Sequence, residues 1–93
     1  MRSFETIRAG LAKSDRWGIN SQPADVDAFA RFLATLPCES VWMKKADCCI
    51  IRFSRPLTEE EADGLRRGTD LFPPDEDPFP SAGAKDEAFL WWD

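Results

Sequence analysis

The sequence predicts a small α+β domain, with elements in the order α-α-β-β-α-β and a three-stranded sheet whose helices pack mainly on one face. Three observations carry this prediction. Val26, Phe29, Ala30, Leu33 and Leu36 recur at helical spacing and form one apolar stripe. Residues 40–45 and 48–54 are β-branched, aromatic and sulfur-rich runs separated only by Ala46-Asp47, the pattern of a hairpin. Thr58 and Glu61 have the spacing of a capping box, and well beyond them residues 88–92 form a compact apolar strand. With 93 residues the chain is a single domain, 1–93, around one core.

The elements are justified in order. Phe4, Ile7 and Leu11 follow Ser3, a good N-cap, and suggest a helix over 4–13. Gly10 weakens it, and a strand over 3–8 is the alternative. Residues 14–22 carry loop chemistry, interrupted by Trp17 and Ile19, which are expected to fold back onto the core. Pro23 suits the first turn of the second helix, Asp25 and Asp27 oppose the positive end of its dipole, and Pro37 ends it.

In the hairpin a three-residue loop over 45–47 places Val41, Met43, Cys49, Ile51 and Phe53 on one apolar face. Trp42, Lys44, Cys48, Ile50 and Arg52 then lie on the other. A two-residue loop would mix polar and apolar groups on both faces, so the first register is preferred. Leu57 can staple onto Ala62 at the start of the third helix, which should run to about Arg67, with Gly68 as its stop.

Residues 69–87 hold four prolines, Gly83 and the run Asp75-Glu76-Asp77, and are expected to form a long acidic loop anchored by Phe72 and Phe79. The final strand either runs parallel to the second strand, making the third helix a right-handed crossover, or returns antiparallel by way of the loop. The expected core is Phe29, Leu33, Val41, Met43, Ile51, Phe53, Leu65 and Leu90.

Apolar residues make up 43% of the chain and charged residues 31%, a globular balance. No apolar stretch approaches the ~20 residues of a membrane-spanning helix, and no secretory signal is apparent, so a cytoplasmic protein without a membrane partner is expected. Cys38, Cys48 and Cys49 are too few for a disulfide framework and read as buried thiols, with a strained Cys48–Cys49 bridge as the alternative. The absence of histidine removes the commonest general base and zinc ligand.

Asp25 and Asp27, two apart on a helix, point in different directions and make a poor metal pair. The run at 75–77 lacks the spacing of a calcium loop, and the five scattered glycines form no phosphate cradle. No catalytic residue, cofactor or metal site is therefore expected, and the chain is read as a binding protein rather than an enzyme.

Charge is unevenly distributed. Residues 1–55 carry nine basic and six acidic side chains, whereas 56–93 carry three and eleven. The candidate partner-binding residues are accordingly Glu59, Glu60, Asp63, Asp70, Asp75, Glu76 and Asp77, together with Trp91, since Trp is enriched at binding hot spots. Asp86 and Glu87 belong to the same acidic portion. A second candidate is the sheet face with Trp42, Lys44, Ile50 and Arg52, where an aromatic among cations would stack a base. The N-terminal helix is expected to cover that face.

Small size, acidity and the lack of catalytic groups resemble those of stoichiometric inhibitors, such as phage anti-CRISPR and other anti-defence proteins or toxin immunity proteins. The resemblance is one of composition and transfers no residue role. It implies an acidic inhibitor of a nucleic-acid-handling enzyme or complex, acting by protein–protein contact and partial nucleic-acid mimicry on a protein partner with a basic surface. The alternatives are a toxin immunity protein, an adaptor subunit of a larger assembly, and a nucleic-acid binder through the basic sheet face. Direct nucleic-acid binding is the least expected of these.

Overall fold

The computed structural model describes residues 3–15, 17–18, 25–45, 48–68, 78–79 and 85–91. Its elements are α1 (Phe4–Leu11), α2 (Val26–Leu33), β1 (Cys38–Lys45), β2 (Cys48–Phe53), α3 (Glu59–Gly68) and β3 (Glu87–Trp91), an α+β domain in the predicted order. The sheet order is β1-β2-β3, with both pairings antiparallel. The long connection therefore returns the last strand along β2, and the parallel crossover is not formed.

Helix α1 starts where its cap demands. The Ser3 hydroxyl accepts the Thr6 N–H at 3.3 Å, so the chain enters a helix and not the alternative strand. At its other end the Leu11 carbonyl accepts both the Ser14 N–H, at 3.2 Å, and the Trp17 indole N–H, at 2.8 Å. The indole also tilts against Phe29, with ring centroids 6.0 Å apart. Trp17 thus folds back onto the core as expected, while Ile19 lies outside the described residues.

Helix α2 begins later than its sequence suggests. Asp25 is the N-cap itself, its carboxylate accepting the Ala28 N–H at 3.0 Å, and Pro23 lies outside the described residues. The helix also stops at Leu33. Leu36 reaches the core from the turn that follows, in which the Thr35 and Leu36 N–H groups bond the carbonyls three residues back. Asp27 is turned toward α1, where Arg8 bonds it at 2.7 Å.

The hairpin adopts the preferred register over its middle, with Val41 opposite Ile51, Trp42 opposite Ile50 and Met43 opposite Cys49. It slips at both ends, at Glu39 and at Lys44, as bulges do. Cys49, Ile51 and Phe53 are buried in the main core with Val41 and Met43 packed against it. All three cysteines are buried, and none is in a disulfide. Burial raises the thiol pKa of Cys49 and lifts that of Cys38 to about 12, so neither is a thiolate near neutrality.

The capping box of α3 is complete. The Glu61 N–H donates to the Thr58 hydroxyl at 3.1 Å, and the Thr58 N–H donates to a Glu61 carboxylate oxygen at 2.9 Å. Arg55 adds a two-pronged bond to both Glu61 oxygens, at 2.7 and 2.8 Å. Leu57 and Ala62 are both buried in the core, as a staple requires.

These bonds to Arg55 and Thr58 hold the Glu61 carboxyl at about 2, below its ordinary value of 4.5. A carboxylate depressed in the folded state stabilises the fold fully above its unfolded pKa and loses that contribution as pH falls through the folded one. Unfolding midpoints of the wild type and of Glu61→Gln, measured by urea titration, should differ at pH 7 and converge as pH drops from 4.5 toward 2. A gap that stays constant through this window would remove the ion pair from the account.

All three helices feed one core on one sheet face, with Ile7 and Leu11 from α1, Phe29 and Leu33 from α2, and Ala62 and Leu65 from α3, against Ile51, Ala88 and Leu90. Phe79 joins this core under the guanidinium of Arg66, 5.2 Å from its ring centroid, as an anchor of the long loop. Its proposed companion Phe72 lies outside the described residues.

Both outer edges of the sheet have neighbours. Helix α1 approaches β1 so closely that a Cβ on Gly10 would overlap the Val41 carbonyl. On the far side the Phe89 N–H donates to the Pro78 carbonyl at 2.9 Å. The edges that would template further strands are thereby blunted.

Candidate functional site

The second face of the sheet is where structure and expectation part. The N-terminal helix does not cover it, because Ile7 and Leu11 are drawn into the core on the opposite side. Strand alternation instead sets three rows of side chains across this open face. Trp42, Ile50 and Phe89 form the middle row, Ser40, Arg52 and Glu87 one flank, and Lys45, Cys48 and Trp91 the other. Ile50 is only 6% exposed and Cys48 is buried, although neither belongs to the main core.

In the ladder Trp42 and Phe89 flank Ile50, and Trp91 flanks Cys48. Trp42 and Phe89 are 36% exposed and Trp91 51%. Large aromatics held on a rigid strand scaffold lose little conformational freedom on contact, which suits them to binding. Arg52 is engaged already, its guanidinium 5.8 Å from the Trp42 ring centroid and 3.2 Å from the Glu87 carboxylate. Of the cations on this surface Arg52 is thus committed to a neighbouring carboxylate, while Lys45 is exposed at the opposite flank.

The acidic candidates behave differently from one another. On α3, Glu59 pairs with Lys85 at 2.7 Å and Asp63 with Arg66 at 3.0 Å, so part of the helix charge is compensated locally. Glu60 is exposed and has no ion pair among the described residues. Asp70, Asp75, Glu76 and Asp77 lie outside the described residues. Trp91 is on the open sheet face and not beside the α3 carboxylates.

What the fold does assemble is an acidic end. Glu39, Arg52, Phe53, Asp86 and Glu87 line a cleft of about 430 Å³ where β1 begins and β3 is entered. The Lys85–Glu59 pair and the bond from the Leu57 N–H to the Lys85 carbonyl, 2.8 Å, tie the start of α3 to the same end. Glu39 was not a sequence candidate, because it stands in the basic half of the chain. Phe89 was also missed, although its spacing of two from Trp91 places both on one strand face.

Among the described residues no group of three or more Cys, Asp or Glu side chains is arranged to hold a metal ion, and no buried side-chain nitrogen or oxygen lacks a hydrogen-bond partner. No helix among them is long and apolar enough to cross a membrane. Comparison of the chain with models of known protein families, with curated proteins and with solved structures finds no match in any of the three.

Proposed function

We propose that this chain is a non-catalytic cytoplasmic protein that acts by protein–protein contact, as a stoichiometric inhibitor of a nucleic-acid-handling enzyme or complex, and that its partner presents a basic surface. The observation that carries the reading is the acidic end. Three carboxylates from two chain segments, Glu39 and the adjacent Asp86 and Glu87, line one cleft together with Arg52, with Glu59 and Glu60 at the adjoining start of α3. A surface of this kind attracts the groove that a nucleic-acid backbone would occupy, and it does so in a salt-dependent way.

The test is capture from an extract of the source cells, followed by assay of the captured complex for nucleic-acid cleavage or binding. The expected result is a one-to-one complex whose activity is blocked, weakened at least about tenfold when Glu59, Glu60 and Asp86 are changed together to Gln, Gln and Asn. The same complex should weaken as salt rises. A partner retained equally by wild type and variant at all salt concentrations would overturn the role of the acidic end. A gel shift of free DNA or RNA by the purified chain would favour the nucleic-acid binder instead.

A further inference from the structure

The outer edge of β3 is closed by something other than a strand. Phe89 stands opposite Ile50, and its N–H points away from β2 to the Pro78 carbonyl, 2.9 Å away. The alternation of an antiparallel ladder then turns the N–H groups of Ala88 and Leu90 inward, toward β2. Next to Pro78, the Phe79 ring enters the rim of the core, 8% exposed where Leu65, Ala88 and Leu90 are fully buried. The guanidinium of Arg66 on α3 lies 5.2 Å from the centroid of that ring. Residues 69–77 and 80–84, on either side, lie outside the described residues.

We infer that Pro78 and Phe79 form a releasable strap, which closes the outer edge of β3 and opens as a local unit while the sheet and the core stay folded. Position carries the inference. The bond to Pro78 is on the outer side of an edge strand, so breaking it leaves the pairing of β3 with β2 in place. The Phe79 ring is at the rim, so it can leave without displacing Phe29 or Ile51 at the fully buried centre. Arg66 keeps its bond to Asp63, 3.0 Å, when the ring departs, and release therefore strands no unpaired charge.

Native proteins open in such units at free energies below that of global unfolding. Closed, the strap stands where a further strand would pair with β3. Open, it uncovers the Phe89 N–H beside the exposed side chains of Phe89 and Trp91, and the edge becomes available for strand pairing. None of the carboxylates of the acidic end takes part, so the extract-capture test of the inhibitor is unaffected by the outcome.

Amide hydrogen exchange of the purified chain, followed residue by residue by NMR in urea well below the unfolding midpoint, tests the strap. In the wild type the Phe89 amide should exchange at a rate that urea hardly changes, because a local opening exposes little surface. The amides of Ala88 and Leu90 should exchange more slowly and accelerate with urea, since they are released only by global unfolding.

Phe79→Ala should accelerate exchange at Phe89 by about thirtyfold, the loss expected for a buried phenyl ring. Phe79→Leu, which keeps most of the apolar volume, should accelerate it less. Phe29→Leu, at the centre of the core, should accelerate Ala88 and Leu90 and leave Phe89 as it is. Exchange at Phe89 that climbs with urea in step with Ala88 and Leu90, or that accelerates equally in Phe29→Leu, would show that the edge opens only with the whole fold and would overturn the strap. Exchange at Phe89 unchanged in both Phe79 variants would overturn it as well.

Discussion

Gly10→Ala should lower the stability of the fold by about 3 kcal/mol, the upper part of the range for overpacking a tight contact. In an isolated helix the same change is favourable by about 1 kcal/mol. The sign reverses because the added Cβ would meet the Val41 carbonyl, which is backbone of β1 and has no rotamer into which to retreat. Either α1 lifts from β1 and loosens the buried Ile7 and Leu11, or the strand edge deforms.

Gly64→Ala in α3 is the internal control, since nothing lies within 4 Å of the Cβ it would add. That variant should gain up to about 1 kcal/mol. Urea unfolding of the two variants measures both. If Gly10→Ala is as benign as Gly64→Ala, the close approach of α1 to β1 is wrong.

Phe29→Ala should cost about 4 kcal/mol. Phe29 is completely buried at the centre of the helical layer, touching the Trp17 ring and sharing the cluster with Ile7, Leu33 and Ile51. Removing its ring deletes apolar contact and leaves a cavity that the surrounding elements fill only in part. Small domains have total stabilities of about 5 to 15 kcal/mol, so this loss takes a large share. The urea midpoint should fall steeply, and Phe29→Leu, which keeps most of the volume, should lie between the variant and wild type. Equal losses for Leu and Ala would point to a role of the ring other than filling space.

Local signals were the legible part of the fold. The caps at Ser3 and Thr58 and the turn back of Trp17 each depend on residues a few positions apart, so spacing alone exposes them. The middle of the hairpin was legible for a related reason. A slip of one residue would send Cys49 and Ile51 to the open face, and the apolar pattern opposes that slip. The start of α2 was less so, because Asp25 serves equally well as a cap or as a first-turn acid, and only the backbone direction separates the two.

The surfaces were harder to read than the elements. The sequence treats the acidic segment after Arg55 as a unit, yet the structure compensates Glu59 and Asp63 with Lys85 and Arg66 and adds Glu39 from the other half of the chain. Lys85 is 26 positions from Glu59, and Glu87 is 35 positions from Arg52. No local pattern encodes pairings at such separations. Phe89 and Trp91 show the converse case, since strand alternation alone puts them on one face, opposite Leu90.

By itself the sequence determined the order and type of the elements, the register of the hairpin centre and the core positions Phe29, Leu33, Ile51, Phe53, Leu65 and Leu90, because periodicity and capping act over one or two turns of chain, whereas Ile7 and Leu11 were expected over the other face. The tertiary structure alone decided that β3 returns antiparallel beside β2. It alone decided that α1 sits against β1 through Gly10, and that none of the three described helices covers the face with Trp42, Phe89 and Trp91. These choices depend on which layer has room for a third helix. Once α1, α2 and α3 all bury their apolar stripes on the same side of a sheet three strands wide, no helix among the described residues remains to cover the other.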